Sequence, residues 1–125
     1  MENSKATSKT ILAVDDNPDI LKVIKAQLEF AGYAVMCEES GEEALETIKN
    51  SSVFAVLLDL GLPGMDGFEV LQNIKRIKPA LPVFMVTGDH AEADGRRAIG
   101  LGARDYITKP INFAHLKNVL QFLSG

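Results

Sequence analysis

With 125 residues, 46% of them hydrophobic and 24% charged, the chain has the length and composition of one soluble domain whose core needs no disulfide or structural metal. Its single cysteine, Cys37, can form no internal bridge, no signal segment opens the chain, and no apolar run nears the ~20 residues of a membrane span, so a cytoplasmic location away from membranes is expected. The balance of 13 Lys and Arg against 17 Asp and Glu, formally −4, has the wrong sign for gripping phosphate backbones, so direct nucleic-acid binding is not expected.

Residues 1–8 (MENSKATS) are polar and aperiodic and read as a disordered tail, leaving 9–125 for the domain. The first apolar run, Ile11–Val14, ends in the acid pair Asp15-Asp16. Behind it Ile20, Ile24, Leu28 and Ala31 repeat at helical spacing, Pro18 fits the first turn after a capping Asn17 or Asp16, and Gly32 stops the helix. A second run, Ala34–Cys37, precedes a helix opened by Ser40, with Glu43 as its capping-box partner and Ala44, Leu45 and Ile48 as the buried stripe. The third run, Phe54–Leu58, leads to Asp59 and the segment LPGMDG, where Asp66 between Gly64 and Gly67 reads as turn chemistry. The helix that follows is marked by Phe68, Leu71 and Ile74 and ends before Pro79. After the fourth run, Val83–Val86, come Thr87 and a weak helix, Ala91 to Gly100, whose apolar residues are mostly alanine. Gly95 lies inside it at a cost of about 1 kcal/mol relative to Ala. The fifth run, Asp105–Thr108, is followed by Lys109-Pro110 and a last helix carrying Phe113, Leu116, Leu120 and Leu123.

Five strands and five helices therefore alternate. The runs are continuous, as in strands covered on both faces, and the expected fold is an α/β, five-stranded parallel doubly wound sheet of flavodoxin-like order 2-1-3-4-5. Ligands of such sheets bind beyond the carboxyl ends of the strands. Asp15, Asp16, Asp59, Thr87 and Lys109 all stand there. Two carboxylates about 4 Å apart repel by about 4 kcal/mol at an effective dielectric of 20, so three need a counter-ion, and Lys109 is expected to neutralise only one. An all-oxygen set suits a hard cation such as Mg²⁺, and Thr87 and Lys109 suit a phosphoryl group beside it. Without Cys or His on this rim, a carboxylate is the available nucleophile, and Asp59 at the sheet centre is best placed.

The stretches ILAVDDNPDI, VLLDLGLPGMDG, PVFMVTGD and GARDYITKPI, in this order, resemble the response-regulator receiver domain of two-component signalling, over the chain from Lys9 to Leu123. The resemblance implies Asp15 and Asp16 as Mg²⁺ ligands, Asp59 as phosphoacceptor and third ligand, Thr87 and Lys109 as phosphate-contacting groups, and a cis Lys109-Pro110 bond. Thr87 and Tyr106 would be the switch residues. It also implies a signalling domain that catalyses only its own phosphorylation and dephosphorylation. A sensor histidine kinase or histidine phosphotransfer domain would be the donor. The helix 4, strand 5 and helix 5 face would regulate a downstream protein, with a phosphorylation-dependent homodimer as a further expectation. The last helix is expected to end within a residue or two of Gly125, so no effector domain is expected to follow. A stand-alone receiver and one excised from a larger regulator or hybrid kinase both fit.

Each of these residues also has a blander reading. Asp16 can cap the first helix as well as bind a metal. Tyr106, without the resemblance, is a strand aromatic packed under a helix. His90 beside Asp89 reads as a solvated loop imidazole, Cys37 as an inert small hydrophobe ending a buried run, and Arg96-Arg97 as a solvated face with partner contact as the alternative. In receivers the places of Gly61 and Asp89, two after Asp59 and Thr87, flank the water path to the acyl phosphate. A flavin carrier of the same sheet order needs a donor-rich loop where Asp15-Asp16 would repel phosphate. A P-loop hydrolase needs a GxxxxGK[ST] that is absent. An aspartate-nucleophile phosphatase would place DxD after the first strand, where this chain has Asp15-Asp16-Asn17.

Overall fold

Apolar runs become strands and segments of helical spacing become helices, because each backbone form buries the side chains that its period aligns. The computed structural model describes residues 9–88 and 91–124. Its strands are β1 (Thr10–Val14), β2 (Ala34–Glu38), β3 (Ala55–Asp59), β4 (Val83–Thr87) and β5 (Asp105–Thr108). They alternate with helices α1 (Pro18–Phe30), α2 (Gly41–Asn50), α3 (Gly67–Ile77), α4 (Ala91–Gly100) and α5 (Phe113–Ser124). The segment 1–8, read as a tail, and the pair Asp89 and His90 lie outside the described residues. The strands pair in parallel in the order β2-β1-β3-β4-β5, the doubly wound α/β sheet expected from the alternation. Among the described residues no helix is long and apolar enough to cross a membrane.

Although the central strands are continuous apolar runs, alternate side chains feed two separate cores. Ile11 and Ala13, Ala55 and Leu57, and Phe84 and Val86 pack with Leu21, Ile24 and Leu28 of α1 and Leu116 and Leu120 of α5. Leu12 and Val14, Val56 and Leu58, and Val83 and Met85 pack on the opposite face with Ala44 and Ile48 of α2, Phe68, Leu71 and Ile74 of α3, and Ala98 of α4. Burying a large aliphatic side chain stabilises by about 1.5–3 kcal/mol, and a one-residue slip would exchange the two sets, so the dry faces hold the register.

Three expectations need correction. Coverage on both faces holds for β1, β3 and β4 but not at the sheet edges: Ala34, Asp105 and Thr108 are exposed, and Met36, Cys37 and Tyr106 half-buried. An edge strand lacks a neighbour on one side, so helices cover it incompletely. Cys37 therefore does not end a buried run, although partial burial still pushes its thiol pKa up. The stripe of α1 is Leu21, Ile24 and Leu28, with Ile20 half-buried and Ala31 exposed at the C-cap. Helical spacing admits both sets, and packing on the sheet selects the one that places Leu21 inside.

The helix ends follow local chemistry. Asn17, not Asp16, caps α1: its side-chain oxygen accepts from the N–H groups of Asp19 at 2.9 Å and Ile20 at 3.4 Å. Gly32 leaves that helix at φ +102°, a conformation that disfavours any Cβ. Ser40 Oγ accepts from the Glu43 N–H at 3.2 Å, but the Glu43 carboxylate accepts from the Ser40 hydroxyl and not from its backbone, so only half of a capping box forms. Asp66 caps α3, accepting from the Phe68 N–H at 2.7 Å.

Gly67 starts α3 against the backbone that leaves β3: a Cβ there would lie 2.8 Å from the Leu60 carbonyl oxygen and 2.9 Å from Leu60 Cα. Main chain cannot swing aside as a side chain can. Gly67→Ala is expected to destabilise the fold by about 1–3 kcal/mol, read as a lower urea midpoint. Gly61→Ala, whose Cβ would meet only Asp59 Oδ2 at 3.8 Å, should leave the midpoint nearly unchanged.

Candidate functional site

Parallel pairing brings the acidic strand ends to one level. Val14 pairs with Leu58 and Asp59 pairs with Val86, so Asp15, one residue beyond Val14, stands beside Asp59. Both are buried, at 3% and 6% exposure, whereas Asp16 is exposed. Asp15, Asp16 and Asp59 each bring a carboxylate oxygen to within 4.8 Å of the others. Pairing continues past the strands: the Lys109 N–H donates to the Thr87 carbonyl at 2.7 Å, which delivers Lys109 to the same rim. The Lys109-Pro110 bond is cis, as expected.

Lys109 divides its one positive charge between two acids. Its ammonium lies 3.1 Å from Asp59 Oδ1 and 3.4 Å from Asp15 Oδ2, one cation between two buried carboxylates. The other oxygen of Asp15 accepts from the Asn17 N–H at 2.9 Å, so the residue that caps α1 also orients this acid. Burial pushes the Asp59 carboxyl pKa up; the Lys109 bond opposes this, and the charges of Asp15 and Asp16 reinforce it. Burial alone would lower the Lys109 ammonium pKa, but its bond to Asp59 and the charges of both acids outweigh that and raise it. The cluster thus keeps an excess of negative charge, and its all-oxygen donors suit a hard divalent cation.

Thr87 ends β4 at 2% exposure, and its Oγ1 is buried without a hydrogen-bond partner among the described residues. Leaving a buried hydroxyl unpaired costs about 1–3 kcal/mol, and such groups cluster where function needs a donor. Tyr106 pairs across the sheet with Met85, two residues before Thr87, so Tyr106 and Thr87 share the sheet face that carries α4. Of the arginines on α4, Arg96 pairs with Glu92 at 3.0 Å, as a solvated face should. Arg97 instead lies over the Phe68 ring, 4.0 Å from its centroid, and ties α4 to α3.

Asp15, Asp16, Asp59 and Lys109 therefore form one cluster, Thr87 stands at the same rim, and Tyr106 lies one row below Asp59 and two below Thr87. Asp89 and His90 fall outside the described residues. Sequence reading missed the Asn17 N–H, hidden in the role of a helix cap, and the double contact of Lys109. It also missed an apolar groove of about 620 Å³ beside Lys109, lined by Ile20, Val23, Ile24, Pro110, Ile111 and Phe113. The surplus of apolar residues at the start of α1, with Ile20 and Val23 beside Leu21 and Ile24, was the available signal.

The sequence model of the response regulator receiver domain family matches residues 11–121. The alkaline phosphatase synthesis transcriptional regulatory protein PhoP of Bacillus subtilis is 37% identical over 105 residues, which cover 84% of this chain and 44% of that protein. The chain spans about half the length of the curated relatives it matches. Among solved structures, a CheY-like receiver domain protein from Methanospirillum hungatei is 34% identical, with a TM-score of 0.86, covering 94% of this chain and 98% of that one. The receiver domain of NtrX from Brucella abortus is 33% identical, with a TM-score of 0.86, covering 90% of this chain and 96% of that one.

Crowded acids without enough cations predict their own relief. Metal-free Asp59→Asn is expected to melt about 4 °C above the unsubstituted chain, and added Mg²⁺ to raise the melting temperature of the unsubstituted chain more than that of the variant. Thermal scans with and without the metal read both effects. A metal-free variant that melts lower would contradict the repulsion.

Proposed function

Because the chain belongs to the response regulator receiver domain family, we propose that it works as a phosphorylation-controlled switch in which Asp59 takes a phosphoryl group from a phosphohistidine donor. The observation that carries this reading is the buried carboxylate of Asp59 at the end of the central strand, with the Lys109 ammonium 3.1 Å away. A carboxylate oxygen attacks phosphorus, the new P–O bond makes an acyl phosphate, and the N–P bond of the donor breaks. The imidazole nitrogen keeps that electron pair and takes up a proton. Lys109 then exchanges part of its contact with Asp59 for the phosphoryl oxygens, and the unpaired Thr87 hydroxyl donates to them.

Asp15, Asp16 and Asp59 would hold Mg²⁺, which supplies charge neutralisation for the phosphoryl oxygens when bound. A cluster with three carboxylates around one lysine fits that role, since its charge excess has no other answer among the described residues. The apolar groove that shares Lys109 with the site suits the sensor histidine kinase or phosphotransfer domain that brings the donor. Its lining residues Ile20, Val23 and Phe113 offer apolar contact area beside Lys109. Engagement of Thr87 reaches Tyr106 on the shared sheet face and changes the α4–β5–α5 surface that a downstream protein, or a second phosphorylated copy, would read. The domain would thus be a signalling element whose only chemistry is its own phosphorylation and dephosphorylation.

Incubation with acetyl phosphate and Mg²⁺ should add one phosphoryl group, acid-stable and base-labile, at Asp59. Lys109→Ala should still be labelled but leave amide exchange in α4 unchanged. A phosphopeptide mapping to Asp89 or His90 would overturn the assignment.

Lifetime of the adduct should depend on Gly61, which is exposed, with open space where a side chain would stand near Asp59 Oδ2. Gly61→Met is expected to slow phosphate release several-fold after donor removal, without altering Mg²⁺ affinity. One well-placed group is sufficient, because about 1.4 kcal/mol of barrier is tenfold in rate. Equal or faster release from the variant would show that water access there does not limit the reaction.

A further inference from the structure

Gly95 is buried in the middle of α4, where a helix has no need of glycine and alanine is the better residue. A Cβ built at this position would stand inside 3.0 Å of three ring atoms of Tyr106, Cγ, Cδ1 and Cε1. The ring therefore lies against the bare backbone of the helix, and the missing methyl group is what lets it do so. We propose that Gly95 is a seat for the Tyr106 ring, and that side-chain volume at this position sets the balance between a seated and a displaced tyrosine.

The observations converge on the resting arrangement. Thr87, on the same sheet face as Tyr106, has its hydroxyl unpaired, and in this condition the ring occupies the seat. A methyl group at position 95 cannot be met by a small shift, because the atoms it strikes begin at the root of the ring; the whole ring must turn away. Closing the seat therefore imposes on the apo chain the displaced tyrosine that, on the receiver reading from which this inference proceeds, follows engagement of Thr87. Gly100, at the end of the same helix, has nothing within 4 Å of a built Cβ and serves as the control.

The test combines a double-mutant cycle with a spectroscopic probe. Gly95→Ala should lower the melting temperature by a few degrees in the Tyr106 chain and raise it in a Tyr106→Ala chain, whereas Gly100→Ala should act alike in both. With fluorotyrosine incorporated and Tyr33→Phe removing the other tyrosine signal, Gly95→Ala should move the Tyr106 fluorine resonance toward its position in the unsubstituted chain with Mg²⁺ and beryllofluoride. Beryllofluoride affinity should rise several-fold, since the competent state is already populated. A Gly95→Ala change that stabilises equally in both backgrounds, or leaves the resonance in place, would overturn the seat. Coupling in the cycle with no response of the unsubstituted chain to beryllofluoride would instead overturn the receiver reading and the switching role, leaving only a packing contact.

Discussion

Two buried carboxylates side by side on adjacent central strands are the constraint on which the rest of the molecule turns. Asp15 and Asp59 sit where the strand order reverses, at the ends of β1 and β3, among groups that burial keeps from water. Left alone they would oppose folding. The chain answers with one ammonium from β5's far end and one backbone N–H from the start of α1. That answer is incomplete in charge. The deficit is what makes the rim receptive to a cation.

Strand parity divides the labour around this point. Asp15 and Asp59 continue the alternation that faces α1 and α5, while Thr87 and Tyr106 continue the alternation that faces α4. Chemistry at the rim and packing under α4 are thus on opposite sides of one sheet, joined at Thr87. The hydroxyl is short, buried and unpaired, so an acceptor that engages it acts on the sheet face that Tyr106 shares. Arg97 over Phe68 completes the connection by holding α4 to the helix that begins just beyond Asp59.

Much of this was legible in residue order. Continuous runs followed by Asp15, Asp59, Thr87 and Lys109 gave both the parallel sheet and its functional edge, because polar residues at the ends of buried strands have few structural reasons to be there. What escaped was whatever depends on distance between elements. Ile20 and Leu21 compete for the same stripe until α1 is laid on the sheet, and Lys109 can be seen to serve two acids only when β5 is docked. Gly95 looked like a weakness of its helix; its partner, Tyr106, is on another element. Edge strands were misjudged for the same reason, since a run of apolar letters does not say whether a neighbour lies beyond it.

Asp15 and Lys109 are 94 positions apart, and their contact closes most of the chain into a single loop. The acids are made early and their cation late. A chain that stops short of β5 would hold the acid pair with the Asn17 N–H but without its cation, and would lack the strand that pairs with β4. Charge balance at the rim is therefore a long-range property of the fold, supplied only once β5 is docked beside β4.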